Sequence, residues 1–385
     1  MASWKKLGMA GAAVGGIAAG VATTIAVPKY LARRAKAGSD DPYADEPFEM
    51  PSTDSIRSVP NHDGVSVHVE TVGSEEAPVT AVFLHGYIQN SATFYFQRQA
   101  CAERIKDGWP VQCVFYDQPG HGLSGALPKV EYSIADLAST LSRVVDSVAP
   151  RSRLVLIGHS MGGMVIQEVA ERYPRLWERV DSVALVSSSA SPLRDVDTKP
   201  MRIVQRIKRT VLPMMQRVSR WTPQLIERAR RLVGDSVWLT ARKQAFLAPN
   251  PSPSLVSLIE HMNRDTPIQT VVGYIRAILD HDGRSTLPLL SERDVLIVAG
   301  TDDALTPVKC SRDMAEVLTR AETAFVAARH NPQLEQPREI SQKLLEIIYK
   351  SVEKSSSRTG TMSPPAESTV KSTRHRWWNP FPGRV

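Results

Sequence analysis

The chain has 385 residues, 42% of them hydrophobic, enough to bury a full-sized core as one large domain with an insertion or as two smaller ones. Its three cysteines, Cys101, Cys113 and Cys310, are an odd and sparse set without C-x-x-C spacing, which argues against a disulfide framework or a zinc site and reads as free, partly buried thiols. The formal charge of +7 sits at the ends, with six Lys/Arg and no acid in residues 1–36 and seven against two acids in residues 350–385, so it says little about the globular part and gives no sign of a nucleic-acid partner.

From Leu7 to Val27 no residue is charged, a length of about 20 residues that suits a helix crossing a bilayer. Lys5 and Lys6 precede it; Lys29, Arg33, Arg34 and Lys36 follow it, and the spacings Gly11/Gly15 and Gly16/Gly20 permit close helix packing. The expectation is a retained N-terminal anchor over residues 1–36, making the protein membrane-associated through one helix, with its side of the membrane open. A cleaved secretory signal and a soluble helix are the rival readings. Residues 37–55 read as a linker.

Between Ile56 and Gly73, Val65, Val67 and Val69 alternate with Ser66, His68 and Glu70, and Asp63-Gly64 supplies a hairpin turn. Continuous apolar runs follow at Val79–Leu84, Val111–Tyr116, Leu154–Ile157, Val183–Val186, Val295–Ala299 and Thr323–Ala327, the pattern of strands buried on both faces of a parallel sheet. Ser133 and Asp136 form a capping box ahead of a helix through Leu137, Leu141, Val144 and Val148, and another helix begins after Ser160 and stops before Pro174. Strands alternating with helices predict a doubly wound α/β core in two parts, 56–190 and 291–354.

Residues 191–290 break that rhythm. They contain no convincing strand, and Ile203, Val204, Ile207, Val211 and Leu212 recur at helical spacing, so this stretch reads as a helical cap. Residues 199–243 hold twelve Lys/Arg against only Glu227 and Asp235, either a solvated helix face or a surface drawn to anionic groups. The end, 355–385, is rich in Ser, Thr, Pro and Arg and reads as a disordered basic tail; Arg374, Arg376, Trp377, Trp378 and Phe381 suit either a membrane headgroup boundary or a solvated tail.

The chemistry centres on LVLIGHSMGG, residues 154–163, where Gly158-x-Ser160-x-Gly162 joins a buried strand to an amphipathic helix. Such a turn projects the serine hydroxyl beyond the sheet, with the helix N-terminus and the N–H of Met161 facing developing negative charge. The rival reading is a glycine-rich turn with a capping serine. A serine needs a base and an orienting acid. His330 follows the strand Thr323–Ala327, and Asp303 follows Val295–Ala299, so both lie at the same sheet edge as Ser160. Asp302 is the competing acid and Asp282 a distant third; Gly300-x-x-Asp303-x-x-x-Pro307 favours Asp303. His159 packs or hydrogen-bonds within the elbow. The second oxyanion donor is expected from His85-Gly86-Tyr87, as the N–H of Tyr87.

With HGY at 85–87, YDQPGHGLSG at 116–125, GHSMGG at 158–163, GTDDALTP at 300–307 and HNPQLEQP at 330–337, the chain resembles the α/β-hydrolase superfamily over about residues 56–349. The resemblance implies an α/β-hydrolase fold: an eight-stranded, mostly parallel sheet with a helical cap between strands six and seven, and no metal or redox cofactor. It implies loop-building roles for Asp117, Gly120, His121, Gly122 and Ser124, and a helix start at Glu335 and Pro337. Arg329 departs from it, standing where relatives carry glycine and placing a cation beside His330.

The expected function is serine hydrolysis of a carboxylic ester, lipid-like or long-chain, through an acyl-enzyme. The alternatives are a cofactor-free perhydrolase with the same triad and a non-catalytic membrane-attached binding protein on the same scaffold.

Overall fold

Along the central strands, successive residues face opposite sides, so a strand apolar at every position must be covered twice. The computed structural model describes residues 31–32, 34–35, 40–48, 52–126, 132–198, 202, 239, 242–243 and 245–359. Eight strands form one sheet: β1 (Ser55–Pro60), β2 (Ser66–Val72), β3 (Val79–Leu84), β4 (Val111–Tyr116), β5 (Arg153–His159), β6 (Val180–Val186), β7 (Asp294–Gly300) and β8 (Glu322–Val326). Their order is β1-β2-β4-β3-β5-β6-β7-β8. The pairs β1/β2 and β2/β4 are antiparallel and the rest are parallel.

Both faces are filled as the apolar runs require. Val82, Leu84, Leu154, Leu156, Val183 and Leu185 pack on helices α2 (Ile134–Val148) and α3 (Met161–Arg172). Their neighbours in sequence, Ala81, Phe83, Val155, Ile157, Ala184 and Val186, join a second cluster with α1 (Tyr95–Lys106) and α7 (Pro337–Thr359). Burying one such Val or Leu side chain contributes about 1.5–3 kcal/mol. At the start of α2, the Ser133 hydroxyl accepts the Asp136 N–H at 3.0 Å while the Asp136 carboxylate accepts the Ser133 N–H at 3.2 Å, the reciprocal cap its spacing predicts.

The chain leaves β3 for β4 on one side and returns to β5 on the other. The crevice beyond the carboxyl ends of β3 and β5 is therefore the switch point of the sheet, where open α/β folds place their sites.

Between β6 and β7 the described residues hold α4 (Pro253–Asp265) and α5 (Ile268–Asp280), two 3-10 turns and the four-residue helix Leu287–Leu290, with no strand. Helix α5 reaches over the loops that follow β3 and β4: the Tyr274 hydroxyl donates to the Pro119 carbonyl at 3.0 Å, and the Tyr87 hydroxyl donates to the Val271 carbonyl. Helix α4 buries Leu255, Val256 and Ile259 with Tyr95 and Phe96 of α1. Residues 40–48, expected as linker, cross this junction. Tyr43 lies 5.1 Å from Phe96 and Phe48 4.6 Å from Tyr95 by ring centroids. The Asp41 carboxylate accepts the Ser254 N–H at 3.1 Å and the Ser252 hydroxyl at 2.5 Å, at the N-terminus of α4. Helix α6 (Val308–Val317) follows β7 and leads to β8.

One expectation is corrected. Among the described residues no helix is long and apolar enough to cross a membrane, so the membrane-spanning anchor and the localisation drawn from it do not stand. The segment 7–27 on which they rested lies outside the described residues, as do most of the cationic stretch 199–243 and residues 360–385. Residues 355–359, expected as the start of the tail, are the last turn of α7, with Ser355 buried.

Candidate active site

Among the described residues, three that are not glycine have positive φ: Ile88 at 51°, Ser160 at 51° and Ser187 at 46°. They follow β3, β5 and β6 at one sheet edge, and such strain persists only where its surroundings over-determine it, as at functional sites. Ser160, with ψ −114°, is the residue between β5 and α3. Its N–H donates to the Val186 carbonyl at 2.8 Å, while its own carbonyl accepts the Gly163 N–H at 3.0 Å and the Ser188 hydroxyl at 2.9 Å. The turn closes so tightly that a Cβ on Gly158 would lie 2.5 Å from the backbone of Gly162 and Gly163, and one on Gly162 would lie 2.2 Å from the Leu84 carbonyl oxygen. Only glycine fits at either place.

His330 comes from the loop after β8. Its Nε2 lies 3.0 Å from Ser160 Oγ, and its Nδ1 lies 2.8 Å from Asp303 Oδ2. Asp303, in the loop after β7, is 5% exposed, so its charge needs partners. Three further hydrogen bonds reach it: Oδ1 accepts the N–H groups of Leu305 (2.8 Å) and Thr306 (3.1 Å), and Oδ2 lies 2.7 Å from the Thr306 hydroxyl. The Ser187 carbonyl, 2.9 Å from the same hydroxyl, is the alternative acceptor for its one proton. Burial raises the Asp303 pKa, but the charge of His330 and the hydrogen bonds from His330, Thr306 and Leu305 outweigh it, and the carboxyl is held below its ordinary range. Asp302 is exposed and paired with its neighbour Thr301, and Asp282 is bonded to Arg284, so neither approaches this arrangement.

Met161 is the first residue of α3, where helix amides have no partner within the helix. Tyr87 lies in the loop after β3, held from below by His85. Burial pushes the His85 pKa down to about 4; the neutral ring places Nδ1 2.8 Å from the Gly86 carbonyl and accepts the Gln118 N–H at Nε2, also at 2.8 Å. Asp117 is a loop-builder, its carboxylate accepting the N–H groups of Ser91 and Leu123, each at 2.8 Å.

A hydroxyl, an imidazole and a carboxylate in line at a strained strand-to-helix turn can move a proton from oxygen to nitrogen and hold the resulting imidazolium. The model of the alpha/beta hydrolase family matches residues 81–343, more than half of the chain. The chain belongs to the alpha/beta hydrolase family. It is 28% identical over 239 residues to an uncharacterized protein of Mycobacterium tuberculosis, a match covering 59% of the chain and 62% of that protein's length. It is 27% identical over 286 residues to the pimeloyl-(acyl-carrier protein) methyl ester esterase of Chromobacterium violaceum, covering 74% of the chain and 98% of that enzyme. Among solved structures, a thermophilic esterase from Thermogutta terrifontis aligns with TM-score 0.60 at 19% identity, over 77% of this chain and 99% of that one, a likeness of fold.

Two supports of the site carry no clear signal in the sequence. Thr306 sits inside the quoted GTDDALTP, where an Asp in a turn commonly bonds the backbone two residues on, as Asp303 does to the Leu305 N–H. Glu335 does more than start a helix: its Oε1 accepts the Arg329 N–H at 2.6 Å and its Oε2 the Leu247 N–H at 2.5 Å, tying the His330 loop to the insertion just ahead of α4. Arg329 keeps a backbone outside the left-handed region, and its guanidinium donates to the Lys243 carbonyl.

Proposed function

We propose that the protein is a serine hydrolase of carboxylic esters. Ser160 attacks the acyl carbon, His330 takes its proton at Nε2, and Asp303 fixes the imidazole with Nδ1–H toward the carboxylate. The N–H groups of Met161 and Tyr87 hold the oxyanion, and water then cleaves the acyl-enzyme by the same route. The observation that carries this reading is the pair of contacts made by one imidazole, 3.0 Å to Ser160 Oγ and 2.8 Å to Asp303 Oδ2. The likeness to the methyl ester esterase along nearly its whole length supports an ester as the substrate.

A long or lipid-like acyl group is the finer part of the proposal. Turnover of p-nitrophenyl esters from acetate to palmitate tests it: a kcat/KM rising beyond the C8 ester supports long chains, and a maximum at acetate or butyrate refutes them.

A further inference from the structure

We propose that His159 is a positioning residue for this site: one buried imidazole that holds the nucleophile elbow, the loop after β3 and the loop carrying His330 in a single register. The inference rests on the catalytic reading above and assigns a task to a side chain that the proton transfer does not use.

His159 precedes Ser160 and is fully buried. Its Nε2 lies 2.8 Å from the His330 backbone carbonyl, and its Nδ1 lies 2.9 Å from the carboxamide of Gln89, itself 2.7 Å from the carboxamide of Asn331. Gln89 is two residues from Tyr87, and Asn331 follows His330, so the chain of contacts starts and ends on the His330 loop after passing through both others. Packing around it is tight, because a Cβ on Gly86 would come within 2.7 Å of His159 Nδ1. A loop that approaches a ring so closely fixes where that ring can sit.

The protonation state gives the network a direction. Burial, then the charge of His330, pushes the His159 pKa down to about 3, so the ring is neutral. The His330 carbonyl can only accept, so the proton sits on Nε2 and Nδ1 needs a donor. In the structure Gln89 Oε1 faces Nδ1 and Gln89 Nε2 donates to Asn331 Oδ1; exchanging O and N in both carboxamides lets Gln89 donate to Nδ1 and Asn331 donate to the Gln89 oxygen. The donors then run Asn331 to Gln89 to His159 to the His330 carbonyl. Without this bond the backbone beneath the His330 ring loses a direct tie to the elbow, and a displacement of about 1 Å between base and nucleophile costs on the order of a hundredfold in rate.

The test compares His159→Met, which removes both ring nitrogens, with His159→Gln, whose amide can still donate to the His330 carbonyl. Turnover of p-nitrophenyl butyrate is measured beside the rate of fluorophosphonate labelling. His159→Met is expected to lower kcat and the labelling rate roughly 10- to 100-fold with KM within about twofold, and His159→Gln to recover most of the loss. Gln89→Met serves if His159→Met does not fold; it removes the donor to Nδ1 and is expected to lower kcat about tenfold. The proposal is overturned if His159→Met, or Gln89→Met in its place, keeps kcat within twofold of the parent, or if His159→Gln falls as far as His159→Met. Ser160→Ala separates the two claims: labelling that survives in it sinks the catalytic reading, whereas labelling lost in Ser160→Ala but unchanged in His159→Met sinks only the positioning role.

Discussion

The hydroxyl of Thr306 lies 2.7 Å from Asp303 Oδ2, the same oxygen that faces His330 Nδ1 at 2.8 Å. Asp303, the proposed orienting acid, is thus itself held by a neighbour three residues on, within one turn. Thr306→Val keeps the shape and removes the hydroxyl. A hydrogen bond to a charged group contributes about 1.5–3 kcal/mol, so kcat is expected to fall about 10- to 100-fold with KM little changed, and Thr306→Ser is expected to recover most of it. Steady-state kinetics of the two variants check this; equal losses in both would contradict it.

Asp41 ties the segment 40–48 to the first turn of α4 through Ser252 and Ser254. Asp41→Ala leaves the Ser254 N–H without that acceptor and loosens the contacts of Tyr43 and Phe48 with α1. The expected cost is about 1 kcal/mol, in the range for losing a helix cap, read as a lower urea midpoint at unchanged slope. An unchanged midpoint would show that the strap contributes nothing.

The strand pattern of the core was legible because burial on both faces leaves a direct signature: Val79–Leu84 and Val111–Tyr116 are apolar runs whose limits coincide with β3 and β4. The glycines around Ser160 were equally readable, since backbone crowding excludes every other residue there. The strap at 40–48 was not. Its anchors are single side chains, Asp41, Tyr43 and Phe48, spaced without period and packed on residues more than 40 positions away, and no local pattern encodes that. The Gln89–His159–Asn331 network escaped for the same reason. The uncharged stretch 7–27 points to a membrane through its length, basic flanks and small-residue spacing, weak signals in an Ala/Gly-rich segment, and no helix among the described residues supports it.

His85, His121 and His159 are fully buried, and burial is the main cause that lowers their pKa values to about 4, 3 and 3, against 6.5 for a free imidazole. Their folded values lie below the unfolded ones, so their contribution to stability is fully present above pH 6.5 and is lost as pH falls toward 4 for His85 and toward 3 for His121 and His159. At pH 5 each costs about 2 kcal/mol relative to pH 7.5. Glu335, whose pKa is raised by burial, acts in the opposite sense over the carboxylate range. Urea unfolding at pH 7.5, 6 and 5 is expected to give a falling free energy; a flat or rising profile would contradict the neutral buried state of these rings.

The central claim is that His330 makes Ser160 a nucleophile. Mass spectrometry after treatment with a fluorophosphonate is the most direct measurement, run on the parent, Ser160→Ala and His330→Ala. One adduct on Ser160 is expected in the parent, none in Ser160→Ala, and labelling slowed at least a thousandfold in His330→Ala. Labelling of a folded Ser160→Ala variant at the parent rate, or of His330→Ala as fast as the parent, would contradict it.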